Sequence, residues 1–208
     1  VLRQEATMKL YTHPFSTYAR RVHIAALEKG IELEYEEVDL ARRKNREEPY
    51  LSLHPYGRVP TLVDGDFVLN ESIAILQYLE AVHPEPALQP EDARGRALVS
   101  MHMHLCDIEF TGPNYSAIFS KRFLPEDKWR PDEIERGRKA AARHLSILDR
   151  QLQGKQFLVA ERFSLADLCY IPFLHFLPLI DVQLPAEVAR WSESLLQRDS
   201  AKATVPPM

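Results

Sequence analysis

The first residues able to do chemistry lie in His13-Pro-Phe-Ser-Thr-Tyr-Ala-Arg-Arg-Val22. Ser16 and Thr17 stand between a strand-like end, Met8 to Thr12, and a helical pattern in which Val22, Ala25 and Ala26 recur at i, i+3 and i+4. A hydroxyl at that helix N-cap lies where backbone N–H groups point outward and the dipole favours negative charge, so the place suits an anion. The plain alternative is a cap that only stabilises the helix, by about 1 kcal/mol. Val59-Pro60 precedes a strand, a setting open to a cis proline or to an ordinary trans turn. Glu71-Ser72 opens another helix, where an acid complements the dipole. His102 and Cys106 are four apart on a helical stretch and could present two metal ligands on one face. No further ligand pair is evident and a closed zinc site takes four, so packing is expected there and no metal.

These positions need elements to hold them. Met8 to Thr12 reads as a strand and is followed by a helix that stops at Lys29-Gly30, then by a second strand over Leu33 to Leu40. Arg42 to Glu48 reads as an exposed, charged turn and short helix. Thr61 to Val63 and Phe67 to Leu69 flank Asp64-Gly65-Asp66, the signature of a β-hairpin, and Ser72 to Val82 reads as a packed helix. His83 to Asp92, with three prolines and three acids, reads as a linker. Beyond it only helices are expected. Leu98, Met101, Leu105 and Ile108 keep helical spacing until Gly112-Pro113, and Ala141, Leu145, Leu148 and Leu152 until Gly154. Ser164 and Asp167 have capping-box spacing, with Phe163 and Leu168 as a hydrophobic staple. The expected architecture is a βαβ then ββα thioredoxin-like domain over 8–83, a linker over 84–92 and an all-helical domain over 93–208.

Composition narrows the function. Lys and Arg number 26 against 30 Asp and Glu, and a net charge of -4 gives no basic surface for nucleic acid. Cys106 and Cys169 are too far apart for a CxxC motif and too few for a disulfide framework, which points to a reducing cytoplasm. The most apolar stretch, Leu168 to Ile180, is broken by Pro172, His175 and Pro178 and is shorter than the roughly 20 residues of a membrane span. Val1 to Thr7 has no apolar signal-peptide core, and Met8 reads as a natural start after an extension.

His13 to Val22, Glu48 to Pro60 (GluProTyrLeuSerLeuHisProTyrGlyArgValPro) and Asn70 to Ala74 (AsnGluSerIleAla) together resemble glutathione transferases, most nearly the serine-type phi class, and Phe163 to Asp167 resembles that family's capping box. The resemblance spans nearly the whole chain from Met8, with the motifs in the family's order. It implies that Ser16 activates the thiol of glutathione. A thiol of pKa about 8.5 is only a few per cent ionised at neutrality, and lowering it by two units takes about 2.7 kcal/mol. A hydrogen bond to a charged group supplies roughly 1.5 to 3 kcal/mol and a helix N-terminus about 0.3 to 1, so one hydroxyl donor suffices. Thr17, Tyr11 and Tyr18 rank behind it as donors.

The resemblance further implies that Pro60 is cis and that Val59 pairs its backbone with the tripeptide as an added strand would. Ser72 then serves as cap and as ligand of the γ-glutamyl carboxylate, and Glu71 holds the γ-glutamyl amino group. Asn45, Arg46 and Arg58 face the glycyl carboxylate, although Asn45 replaces a common histidine and Arg58 a common glutamine. Phe15, Phe110, Tyr115 and Phe119 are expected to wall a pocket for a small hydrophobic electrophile. Glutathione is then a co-substrate without any permanent cofactor, the protein a cytoplasmic homodimer without membrane or nucleic-acid partners, and detoxification or hydroperoxide reduction its task. Zeta-type isomerases and cysteine-type thiol transferases are disfavoured, because neither a SerSerCys motif nor any cysteine lies near the first helix. A non-catalytic ligand-binding or protein-docking module on the same scaffold is the rival reading.

Overall fold

The structure, a computed structural model, describes residues 7–206, so Val1 to Ala6 of the supposed extension lie outside the described residues. Among the described residues the chain forms two compact units, one comprising 7–87 and 202–206, the other Leu88–Ala201. The return of the last residues to the first unit departs from the expected helical domain over 93–208.

The first unit holds β1 (Lys9–Thr12), α1 (Thr17–Lys29), β2 (Glu34–Glu37), a 3₁₀ turn (Lys44–Arg46), α2 (Tyr50–Leu53), β3 (Thr61–Asp64), β4 (Phe67–Asn70) and α3 (Ser72–Val82). Its sheet runs in the order β2-β1-β3-β4, with β1 parallel to β2 and antiparallel to β3, as expected of βαβ followed by ββα. Period-two alternation sends Leu10 and Leu62, which pair in register, to the face where Met8, Val22, Ile75 and Leu79 close the core. β2 is shorter than the Leu33 to Leu40 reading, because β1 offers only four residues to pair with. This exposed acidic edge is partly neutralised by Lys9, whose ammonium bonds Glu34 and Glu36 at 2.8 and 3.1 Å.

α1 ends where Gly30 turns left-handed at φ 65°. Lys29 donates to the Glu80 carboxylate at 2.6 Å and the Pro86 carbonyl at 2.7 Å, with the side chains of Lys29 and Glu80 only 1% and 4% exposed. This buried pair pins the ends of α1 and α3 together.

In the second unit α4 (Ala93–Leu105) does not stop at Gly112-Pro113. A π turn (Cys106–Thr111) leads straight into α5 (Gly112–Phe123), because Pro113 falls in the first turn of α5, where an α-helix needs no N–H. The expected apolar stripe has the right period but the wrong face. Leu98, Met101 and Ile108 point outward, while Val99, His102, Met103, Cys106 and Phe110 share the same i+3/i+4 spacing and go inside. α6 (Pro131–Gln151), α7 (Leu165–Leu168), α8 (Ile171–Leu174) and α9 (Ala186–Leu196) complete this unit's core, and α10 (Asp199–Ala203) follows. The capping box at α7 forms as read. Asp167 accepts from the N–H and hydroxyl of Ser164, and also from the Leu158 N–H at 3.0 Å and Trp191 Nε1 at 2.9 Å.

Candidate active site

The sheet register gathers one set of strand ends. Thr12 pairs with Glu37, Tyr11 with Thr61, and Thr61 with Asn70. The segments attached at that end therefore carry Ser16 after β1, Asn45 and Arg46 after β2, Val59-Pro60 before β3, and Glu71-Ser72 after β4. This is the end of an α/β sheet at which ligands commonly bind.

Ser16 is the N-cap of α1, with extended φ and ψ of -80° and 112°, and its Oγ accepts from the Ala19 N–H at 3.1 Å. Capping and donation are thus compatible in one hydroxyl: the cap uses the oxygen, while the O–H proton has no acceptor among the described residues. Thr17 is the first helical residue. Tyr18 lies against the Arg21 guanidinium, 5.1 Å from carbon to ring centre, and Tyr11 packs its ring 5.7 Å from that of Tyr50.

The Val59-Pro60 bond is cis, and neither the N–H nor the C=O of Val59 has a hydrogen-bond partner among the described residues. The loop in front is held by a relay that sequence reading missed. Tyr50 OH donates to the Arg58 carbonyl at 2.5 Å and lies 3.0 Å from Thr61 Oγ1. Thr61 in turn donates to Asn70, and Asn70 Nδ2 donates to the Leu53 carbonyl at 3.0 Å. Asn45 and Arg46 belong to the same clamp, donating to the carbonyls of Gly57 and Tyr56 at 2.6 and 3.0 Å. Gly57 is required here: it has φ 55°, and a Cβ would come within 2.3 Å of the Asn45 carbonyl oxygen. The Arg58 side chain is exposed.

Ser72 opens α3 as its first residue rather than as its cap. The N-cap is Glu71, whose side chain makes no cap bond and whose φ of 70° is strained for a non-glycine residue. Ser72 is buried and its Oγ accepts from Arg21 Nη1 at 3.4 Å. Arg21 is fully buried although charged. Its place i−4 from Ala25, on the apolar face of α1, was the available signal.

A cavity of about 390 Å³ adjoins Ser16 within this unit, lined by Thr12, Arg20, His23, Tyr35 and Glu37 and by the chain over 203–206. Arg20 Nε donates to Thr204 Oγ1 at 3.1 Å, and burial, then the Arg20 charge, lowers the pKa of His23. None of Phe15, Phe110, Tyr115 and Phe119 is among the residues that line this cavity. Of the four aromatic candidates, Phe15 is exposed beside His13, and Tyr115 and Phe119 are exposed on α5 with their rings 5.9 Å apart. Phe110 is corrected: it is 1% exposed and packed on His144, Tyr170 and Phe173, so it is a core residue and lines no open pocket. His102 is buried, and Cys106 donates to the Cys169 carbonyl at 3.5 Å. Among the described residues no three His, Cys, Asp or Glu side chains are arranged to hold a metal.

A thioredoxin-like unit followed by a unit of helices is the fold of solved glutathione transferases. Residues 10–87 match the model of the glutathione S-transferase N-terminal domain and residues 131–194 that of its C-terminal domain. "Glutathione S-transferase 1" of Dianthus caryophyllus is 31% identical over 167 residues, covering 79% of this chain and 75% of that protein. The "Stringent starvation protein A homolog" of Coxiella burnetii is 29% identical over 206 residues, covering 97% and 93%. Among solved structures, the theta class glutathione S-transferase of Xanthomonas axonopodis pv. citri, with glutathione bound, superposes with a TM-score of 0.89 at 26% identity, covering 97% of this chain and 98% of that one. The chain belongs to the glutathione S-transferase family, with phi-class transferases among its homologues.

Proposed function

We propose that the chain acts as a glutathione transferase in which the Ser16 hydroxyl donates to the glutathione sulfur and holds it as thiolate. The observation that carries this is the geometry of Ser16. Its oxygen is engaged by the Ala19 N–H, which leaves the O–H proton for a ligand at a helix N-terminus that already favours an anion. Val59 offers its unpaired N–H and C=O to the tripeptide backbone, Ser72 and the start of α3 take the γ-glutamyl carboxylate, and Glu71 takes the amino group. Asn45 and Arg46 act by fixing the loop that presents Arg58 to the glycyl carboxylate.

In the reaction the thiol proton leaves to solvent and the sulfur forms a bond to an electrophilic carbon. The leaving group departs with the bonding pair, or the pair moves into the acceptor in an addition. Positioning and electrostatics are the protein's contribution, and no covalent enzyme intermediate is needed. The second substrate is a small hydrophobic electrophile, or an organic hydroperoxide in a peroxidase reaction. The role is detoxification in the cytoplasm. Among the described residues no helix is long and apolar enough to cross a membrane. The functional form is a homodimer that covers the outward Leu98, Met101 and Ile108 face of the helical unit. A Leu98→Glu variant that sediments like wild type would exclude that face.

The test is turnover of a generic aromatic electrophile with glutathione, compared between wild type and Ser16→Ala. Glutathione-dependent conjugation that falls in the variant is the expected result. Wild type without any such activity turns the reading to the non-catalytic ligand-binding or docking module.

A further inference from the structure

The carbonyls of three consecutive residues in the loop before β3 each accept from a side chain: Tyr56 from Arg46 Nη1 at 3.0 Å, Gly57 from Asn45 Nδ2 at 2.6 Å and Arg58 from the Tyr50 hydroxyl at 2.5 Å. The third differs from the other two. Asn45 is half-buried and Arg46 exposed, whereas Tyr50 is 6% exposed, with its ring 5.7 Å from that of Tyr11 and its hydroxyl oxygen 3.0 Å from Oγ1 of the fully buried Thr61 on β3. A carbonyl can only accept, so the Tyr50 proton is the one that makes the bond to Arg58. Burial, foremost, raises the Tyr50 pKa, which keeps that proton in place at neutral pH.

The Arg58 carbonyl is one end of a peptide unit whose other end is the Val59 N–H. That peptide is trans and planar, so its C=O and N–H point in opposite directions, and whatever fixes the carbonyl also aims the N–H. Tyr50 holds the carbonyl on the buried side, toward Thr61 and the sheet. The Val59 N–H, which has no partner among the described residues, is thereby turned the other way. The Val59 C=O belongs to the next peptide unit and is not set by this bond.

We propose that Tyr50 is a positioning residue for glutathione: by holding the Arg58 carbonyl, its hydroxyl aims the Val59 N–H at the tripeptide backbone before the ligand arrives. The inference rests on the reading of Val59 given above. Set in advance, the N–H makes its bond without the peptide first having to turn. Without the hydroxyl that orientation is no longer held, and the ligand loses up to one hydrogen bond between neutral groups, about two- to tenfold in affinity. The loss falls on binding of the tripeptide and not on the chemistry at sulfur, so KM for glutathione rises while kcat at saturation stays near wild type.

The experiment uses Tyr50→Phe, which keeps the ring and removes only the hydroxyl. The full chain is titrated with S-methylglutathione by calorimetry and by NMR of the backbone amides. Wild type is expected to bind, with the Val59 N–H shifting downfield as its bond forms. Tyr50→Phe is expected to bind about two- to tenfold more weakly. Once saturated it should show a smaller Val59 shift, while the Ser72 amide, at the start of α3 assigned to the γ-glutamyl carboxylate, shifts as in wild type. A general loosening of the fold would reduce both shifts together, so equal loss at Val59 and Ser72 overturns the proposal, as does a Val59 shift unchanged by the substitution. A second arm needs no variant and stands even where Tyr50→Phe folds poorly: a Tyr50 hydroxyl proton held on Arg58 gives a slowly exchanging signal in wild type, and rapid exchange with water overturns the proposal. In each of these outcomes binding by wild type still upholds the glutathione site. Wild type that binds without moving the Val59 amide removes Val59 from the site and the proposal with it, and no binding of S-methylglutathione by wild type overturns both readings.

Discussion

Replacing Ser16 by alanine removes two separable interactions. The first is the cap, Oγ accepting from the Ala19 N–H at 3.1 Å, whose loss costs about 1 kcal/mol of stability. For a domain pair of this size that lowers Tm by about 2 to 4 °C. The second exists only with glutathione bound: the O–H donated to the sulfur, about 1.5 to 3 kcal/mol for a bond to a charged acceptor. At about 1.4 kcal/mol per pKa unit, its loss raises the bound thiol by about one to two units, and from a bound pKa of about 6.5 the thiolate at pH 7 falls by roughly 3- to 25-fold. The assay is the ultraviolet absorbance of the thiolate titrated in the complex, beside kcat/KM at the same pH values. Ser16→Thr should recover much of both. The reasoning is refuted if the bound thiol titrates alike in wild type and Ser16→Ala, or if activity drops only as far as the lost Tm accounts for.

Glu80→Ala strands the Lys29 ammonium in a buried site and should cost about 3 to 5 kcal/mol in chemical denaturation; an effect below about 1 kcal/mol would mean that water reaches the pair. Asp167→Ala leaves Trp191 Nε1, the Leu158 N–H and both Ser164 donors without their acceptor, and at about 1 to 3 kcal/mol for each buried orphan it should prevent folding of the helical unit, read as lost near-ultraviolet circular dichroism. His144, stacked on Phe110 and 3.0 Å from the Tyr170 hydroxyl, has its pKa lowered from 6.5 to about 4, by burial first and then by His102. The folded state thus prefers neutral His144, and its stabilisation is complete above the unfolded pKa. As pH falls from 6.5 toward 4 up to about 3 kcal/mol is lost, and His144→Phe should flatten that part of the stability profile.

The strand–helix alternation of the first unit was legible because each signal was local: the Asp64-Gly65-Asp66 turn, the Lys29-Gly30 stop and the hydroxyl before Val22. So was Ser16 as an N-cap, since a cap is made by residues within one turn of it. What escaped depended on contacts distant in sequence. Arg21 under Ser72, Lys29 on Glu80, and the Tyr50–Thr61–Asn70 relay join residues that no window contains. The α4 stripe failed for another reason. Val99, His102, Met103, Cys106 and Phe110 obey the same period as Leu98, Met101, Leu105 and Ile108, and periodicity alone does not say which of two mixed faces is covered. Likewise Pro113 reads as a stop until the π turn places it in a first turn. Phe110 was misread because an aromatic on a helix near a site has the same appearance in sequence whether it faces a ligand or His144.

The bond from Arg20 to Thr204 joins the beginning of the first helix to nearly the last residues of the chain. On the ribosome the sheet and its helices emerge early, yet this fastening and the wall over 203–206 become available only after the whole helical unit has been made. Assembly of the cavity next to Ser16 is thereby tied to synthesis of the segment beyond the helical unit, and a chain cut short before Lys202 would present that cavity open on one side.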